Sequence, residues 1–266
     1  MPKVEANGIN MHYEKQGDGD VLLLVPYLSA DNACYAFQVG EYAKHFTCVS
    51  LDPRGAGETD KPDGVYSVEQ FADDVAAFMQ AAGIARAHVM GLSLGAATAM
   101  WLAAKHPGRV RSLSLHSGWT RSDPFLKAVV GGWQVMARAL GNVPEMVIQG
   151  ILPWCLTPEL YAAKPEYVDG LAQFVRSRPV QPLDAFIRQS NAVIAHDVEG
   201  QIGKIKCPTL VTFGRHDAVT STRFAEPMAK GIAGAELIVF DGCAHAPIYE
   251  RVDEFNERTL AFLKRV

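Results

Sequence analysis

Ala87-His88-Val89-Met90-Gly91-Leu92-Ser93-Leu94-Gly95-Ala96-Ala97-Thr98-Ala99-Met100-Trp101-Leu102-Ala103-Ala104-Lys105 divides at its serine. The run before Ser93 is short and apolar, as a buried strand is. The run after it is rich in alanine, as a helix is. Between them stands Gly91-Leu92-Ser93-Leu94-Gly95, a G-x-S-x-G pattern in the strand–turn–helix setting that such a pattern requires. A serine at so sharp a turn is held in a strained backbone conformation with its hydroxyl pushed outward. The residues two before and two after must then be small. The start of the helix also aims free N–H groups at any oxygen that gains negative charge beside Ser93. Two plainer readings compete. Residues 87–104 are 18 positions without Asp, Glu, Lys or Arg, the length of a membrane span. Two glycines, a serine and a histidine interrupt that span, and no other segment matches it. A chance match among 23 glycines is the other reading, and the flanking strand and helix weigh against it.

Composition bounds the rest. A chain of 266 residues fits one large domain, or a domain with an insertion. With 48% hydrophobic and 20% charged residues it reads as a soluble globular protein with a sizeable core. A net charge of −4 gives no electrostatic reason to expect nucleic acid or an anionic membrane as partner. The cysteines at 34, 48, 155, 207 and 243 are odd in number and scattered. They predict reduced thiols in a cytoplasmic protein, not a disulfide framework or a zinc site. Met1-Pro2-Lys3-Val4-Glu5-Ala6 has no apolar signal core, so export is not expected. The expected partner is a small-molecule substrate, with a homodimer as a possible assembly.

Taken in order, residues 2–15 alternate around Asn7-Gly8, a two-residue hairpin signal. Val21–Val25 and Phe46–Leu51 are buried-strand runs. Residues 35–45 look helical, and Asp52-Pro53-Arg54-Gly55-Ala56-Gly57 is a loop. Ser67 caps a helix running to about Ala82, with Val68, Phe71, Val75 and Phe78 on one face. After the serine helix comes a strand, Val110–His116. Strands alternating with helices predict a parallel sheet covered on both faces. The alternation stops between about Gly118 and Gly203, where the chain is mostly helical and repeatedly broken by proline. It resumes with strand Thr209–Phe213, a helix near Ser221–Ile232, strand Glu236–Phe240 and a helix from about Val252. The division expected is a core of 1–118 and 204–266 with a helical cap over 119–203.

A serine hydroxyl needs a base, and the base needs an orienting acid. Of eight histidines, His12, His45 and His106 fall where surface roles are expected, and His88 lies inside a strand. His245 lies in a loop directly after the final strand. Groups just past the C-terminal ends of parallel strands converge on one rim, so His245 can meet Ser93. Asp217 follows the preceding strand and reaches the same rim. The order Ser93, Asp217, His245 matches one known triad arrangement. Asp123 is the rival acid. The oxyanion hole needs two backbone donors. Leu94, next to the nucleophile, is one. The other comes from the loop after Val21–Val25, where Pro26 has no N–H. Tyr27 is favoured there, with Leu28 as the alternative.

With these residues assembled, the chain resembles an α/β-hydrolase over nearly its whole length. The resemblance is carried by the Gly91–Gly95 turn, Asp52-x-Arg54-Gly55-x-Gly57, Cys207-Pro208-Thr209-Leu210 leading into Gly214-Arg215-His216-Asp217, and Ala244-His245 followed by Glu250, Phe255 and Phe262. It implies a mostly parallel eight-stranded sheet flanked by helices, with a helical cap where the insertion lies. One departure is Val25-Pro26, where most relatives carry His-Gly. Within the family, the Gly-Leu-Ser turn and the length are similar to 3-oxoadipate enol-lactonases and RutD-like aminoacrylate hydrolases. The leading expectation is a serine hydrolase of a small carboxylic ester or lactone, working through an acyl-enzyme and needing no metal or organic cofactor. Two alternatives stand beside it: a carbon–carbon bond hydrolase of ring-cleavage products, and a hydrolase-fold ligand receptor with slow turnover. Trp119, Trp133, Trp154 and Leu156, with Met136 and Phe186, are candidates to line an apolar substrate pocket. Arg121, Arg138, Arg176 and Arg188 are the cationic options for a substrate carboxylate.

Overall fold

The Asn7-Gly8 signal folds as a tight hairpin. In a computed structural model describing residues 2–266, Asn7 has φ 50° and Gly8 φ 74°, the left-handed pair that a type I′ turn demands. The turn joins β1 (Lys3–Ala6) to β2 (Ile9–Gln16). Next come β3 (Val21–Val25), helix α1 (Ala36–Tyr42), β4 (Thr47–Leu51), α2 (Val68–Ala81), β5 (Ala87–Leu92), α3 (Leu94–Lys105) and β6 (Val110–His116). The region expected 35–45 to be one helix is a short 3-10 turn, Asn32–Tyr35, followed by α1.

Six helices separate β6 from the next strand: α4 (Pro124–Leu140), α5 (Val143–Met146), α6 (Leu152–Cys155), α7 (Pro158–Ala163), α8 (Pro165–Ser177) and α9 (Leu183–Ala195). A π-helical turn, Val147–Ile151, joins α5 to α6. Proline occupies the first turn of α4 through α8, where its missing N–H costs no helix bond. Pro144, Pro153, Pro158 and Pro165, which break the sequence pattern, therefore lie in the first turns of helices. The chain ends with β7 (Thr209–Gly214), α10 (Ala225–Gly231), β8 (Glu236–Phe240), α11 (Pro247–Glu250) and α12 (Val252–Leu263). Helix α10 begins later than the sequence pattern indicates.

The strands form one sheet in the order β1-β2-β4-β3-β5-β6-β7-β8. Pairings from β4 to β8 are parallel; only β1 and β2 run antiparallel. Alternate residues of β3 point to opposite faces: Leu23 and Val25 into the core under α2 and α3, Leu22 and Leu24 into the core under α1 and α12. With both faces covered, β3 is apolar throughout, as its sequence is. Because β3 lies between β4 and β5, successive crossovers leave it in opposite directions. That reversal opens a crevice at the C-terminal ends of β3 and β5, where Val25 faces Gly91.

Three histidines are sealed into this framework. His88 on β5 bonds Ser112 at 2.7 Å, His116 on β6 bonds Thr212 at 2.7 Å, and His196 lies 3.2 Å from the Trp119 carbonyl. Burial holds their pKa down, to about 4, 3 and 4 respectively. The unfolded chain, with imidazoles near 6.5, therefore takes up more protons than the folded one as the pH falls. The stability is complete above about pH 6.5 and is lost toward the folded values. At pH 5 each buried imidazole is expected to cost up to about 2 kcal/mol. Urea unfolding at pH 7.5 and pH 5 measures this, and an unchanged midpoint would contradict it.

Candidate active site

Ser93 stands between β5 and α3 with φ 54° and ψ −116°, outside the regions a serine ordinarily occupies. Its N–H donates to the His116 carbonyl at 2.8 Å, and its side chain makes no capping bond to α3. Space explains the two glycines. A Cβ on Gly91 would lie 2.2 Å from the Gly95 carbonyl oxygen, and one on Gly95 would lie 2.0 Å from that of Val25.

His245 and Asp217 come from the loops after β8 and β7. Gly214, the last residue of β7, lets the two loops close: a Cβ there would be 1.8 Å from the Ala244 carbonyl oxygen. The His216 N–H donates to the Cys243 carbonyl, and the Ser117 hydroxyl donates to that of His245, each at 2.8 Å. His245 Nδ1 lies 2.9 Å from Asp217 Oδ2, and both side chains are buried. A carboxylate acceptor assigns the proton to Nδ1 and leaves Nε2 able to take one. Asp217 is further held by the N–H groups of Val219 and Thr220 on Oδ1 and by the Thr220 hydroxyl, 2.8 Å from Oδ2. Burial pushes its pKa up, but the His245 charge and the hydrogen bonds of His245, Thr220 and the Ser221 backbone outweigh burial, so the net shift is downward. Asp217 is accordingly a carboxylate at neutral pH. Asp123 does something else. It caps α4 by accepting the Leu126 N–H and pairs with Arg223 at 2.8 Å.

The β3–α1 loop faces Ser93. Leu94 is the first residue of α3, where an N–H has no helical partner. The Leu28 N–H also has no hydrogen-bond partner among the described residues, whereas the Tyr27 N–H is directed at the buried Cys34 sulfur. The Tyr249 hydroxyl, four residues past His245, donates to the Cys34 carbonyl at 2.8 Å. The Tyr27 hydroxyl, 2.8 Å from that of Tyr249, therefore donates to it. The loop on one side of Ser93 is thus tied to the helix that follows His245.

Ser93 and His245 open into one cavity lined largely by apolar side chains, as small-molecule sites are. Trp119 and Trp133 line it. Trp119 spends its only N–H on the Ser122 hydroxyl, 2.8 Å away. Trp154 and Leu156 do not line it. The lining positions on this stretch are Val147, Ile151, Leu152 and Cys155, and Trp154 lies on the other side of α6, 39% exposed. Leu156 packs with Val168, Leu171 and Ala246 in a separate cluster. Phe186 is wholly buried in the core, and Met136 packs against it. Cys155 brings a thiol into the cavity, but burial, then Asp217 and Glu250, push its pKa far up and keep it protonated.

None of the four candidate arginines reaches the cavity. Arg121 pairs with Glu199, Arg176 with Glu145 and Arg188 with Asp63, and Arg138 is exposed. His216 is exposed as well. His12 reverses its expected surface role: it is 1% exposed and bonds Asp52 at 2.8 Å. The sequence reading passed over Thr220, although Asp217-Ala218-Val219-Thr220 carries an Asx-turn signal. It also passed over the π-turn residues Val147 and Ile151, whose wider turn no helical period reveals.

The model of the α/β-hydrolase fold matches residues 24–252, and the chain belongs to this family of hydrolases. Over 265 residues it is 29% identical to a protein of Azorhizobium caulinodans that carries the name carbamate hydrolase RutD, covering 98% of both chains. It is 26% identical to the 2-hydroxy-6-oxo-6-phenylhexa-2,4-dienoate hydrolase of Comamonas testosteroni, over 96% of this chain and 91% of that one. Among solved structures, the enol-lactonase of Burkholderia xenovorans LB400 superimposes with a TM-score of 0.89 at 28% identity, covering 99% of this chain and 100% of that one. The narrower likeness read from the sequence, to RutD-like proteins and enol-lactonases, is met in both comparisons.

Two substitutions test the geometry. Gly95→Ala forces a methyl group onto the Val25 carbonyl and should abolish turnover or soluble expression; a fully active variant would refute the close packing. Asp217→Asn should lower turnover about 10³–10⁴-fold, while Asp123→Asn, which still caps α4, should change it little. Steady-state rates of the two variants decide, and the reverse ranking reassigns the acid.

Proposed function

We propose that this hydrolase cleaves an uncharged carboxylic ester or lactone through an acyl-enzyme on Ser93. The observation that carries the reading is the wall of the cavity. Apart from Ser93, His245, Thr220 and the two tyrosines, it is hydrocarbon, tryptophan and one protonated thiol, with no Lys, Arg, Asp or Glu among the lining residues. A neutral substrate loses little by entering such a space, whereas an anion would be desolvated without a partner.

In this mechanism Ser93 Oγ attacks the carbonyl carbon as His245 Nε2 takes its proton. Asp217 holds the imidazole in orientation and stabilises its positive charge. The Leu94 and Tyr27 N–H groups hold the oxyanion, with Leu28 as the alternative second donor. His245 returns the proton to the departing alkoxide, then activates water to release the acid. For a lactone both products stay on one molecule. We assign residues 119–203 to a cap over the core and read their cavity-facing side chains, Trp119 and Trp133 among them, as substrate contacts. The partner in this reading is a small molecule, and the chemistry calls on no cofactor. Five free thiols fit a reducing compartment, and we place the enzyme in the cytoplasm. No helix among the described residues is long and apolar enough to cross a membrane.

The carbon–carbon reading draws on the Comamonas relative, and the same three side chains would serve it. A dienoate substrate carries a carboxylate, however, and the cavity lining has no cation for it. A carbamate, named for the Azorhizobium relative, is more polar than this lining. The test is a fluorophosphonate label followed by substrate profiling. Labelling of the wild type but not of Ser93→Ala, with steady turnover of short- to medium-chain esters or lactones, is expected. Turnover of vinylogous diketo acids but not of esters would move the function to carbon–carbon cleavage, labelling without turnover would indicate a receptor, and no labelling would count against every serine mechanism.

A further inference from the structure

A second chamber adjoins the apolar cavity. The two share Tyr27, Val147 and Val175 as lining residues, and the second adds four polar side chains, Ser29, Asp31, Arg178 and Gln181, to a wall that is otherwise mostly apolar. It lies where the end of α8 meets the loop after β3 and the Gly55–Gly57 turn.

Its two best-defined polar groups are complementary and half used. Gln181 is 5% exposed, and its Nε2 donates to the Gly55 carbonyl at 2.8 Å and to Gln189 Oε1 at 2.9 Å. Two acceptors on that nitrogen fix the orientation of the amide. Its Oε1 is then a buried acceptor without a partner, a condition that native proteins rarely tolerate without a use. Arg178 spends Nε on Asp31 Oδ2 at 2.8 Å and makes no other hydrogen bond among the described residues, so both Nη groups remain available as donors. Asp31 is fully engaged: its other oxygen accepts the Ala33 N–H at 3.0 Å. The ion pair makes the chamber formally neutral, so an anion gains less from Arg178 than from an unpaired guanidinium.

We propose that this chamber is a binding subsite for an uncharged group that both accepts and donates a hydrogen bond, an amide or a hydroxyl, carried at one end of the substrate whose carbonyl reacts at Ser93. Arg178 gives the donors and Gln181 Oε1 the acceptor. The substrate class is then an amphiphilic ester or lactone, with hydrocarbon in the larger cavity and a neutral polar end beyond Tyr27. This deepens the ester and lactone reading and rests on it.

Matched esters test the subsite. The hexanoyl ester of glycolamide is compared with its apolar isostere, isobutyl hexanoate, and with the hexanoyl ester of glycolate. A second pair puts the amide on the acyl side: ethyl 6-amino-6-oxohexanoate against ethyl 6-methylheptanoate. Two hydrogen bonds predict a preference of about tenfold in kcat/KM for the amide in one of the two pairs. Arg178→Met and Gln181→Met should each bring that ratio toward one. Arg176→Met, whose exposed pair with Glu145 lies outside both chambers, should keep it and show that the effect is local. Turnover of the apolar esters with a ratio near one in wild type in both pairs overturns the subsite and leaves the esterase reading standing. A ratio that survives in both Arg178→Met and Gln181→Met also overturns it, as does a glycolate ester preferred to the glycolamide one. Failure to hydrolyse any ester overturns the parent reading instead.

Discussion

No side chain fits between the first turn of α3 and the end of β3. Gly95 meets the Val25 carbonyl, Gly91 meets the Gly95 carbonyl, and Gly118 comes within contact of Ala96. This closeness twists Ser93 into its strained conformation, because the chain must leave β5 and enter α3 within one residue. It also brings the β3 loop against the start of α3, on the same cavity as the serine. A second close approach, Gly214 under Ala244, does the same for the loops that carry Asp217 and His245. The site is therefore assembled by backbone packing at three strand ends, and side-chain hydrogen bonds refine it.

This dependence explains what the sequence disclosed. Short-range rules suffice for a glycine-flanked serine between a strand and a helix, and for Asp217 and His245 just past two later strands. Parallel topology does the rest by bringing strand ends to one rim. The hairpin at Asn7-Gly8 and the Ser67 cap of α2, which accepts the Gln70 N–H at 3.0 Å, are equally local. His12 was not legible, because its partner Asp52 is 40 residues away and the pair exists only once β2 lies beside β4.

The helical insertion was the opaque part, for a different reason. Trp154 is large and apolar, which makes a lining role reasonable, yet it is partly exposed on the outer side of α6. Which face a short helix presents depends on the turn that delivers it. Here that turn is π-helical and rotates Ile151, Leu152 and Cys155 inward. Gly150 lies in that turn against the Met136 sulfur, where a Cβ would come within 2.6 Å. Residue types announce apolar helices there; their phase is set by such contacts and is not written in any local period.

The polar network around the β3 loop links that loop to the helical insertion between β6 and β7. Gln189 Oε1 receives the Ser29 N–H and the Gln181 amide, while its Nε2 donates to the Arg54 carbonyl. Arg54 is in turn locked to Asp74 on α2, at 2.6 and 2.7 Å. One helix of the insertion, α9, is thereby bonded to the loop that faces Ser93 and to the Asp52–Gly57 loop of the core. An insertion joined to the core by buried hydrogen bonds of this kind is held in one register against Ser93, since each broken bond would leave a buried polar group unsatisfied. The departure from His-Gly at Val25-Pro26 fits this arrangement. With Pro26 contributing no N–H, the loop is held by Ser29 to Gln189 on one side and by Tyr27 to Tyr249 on the other.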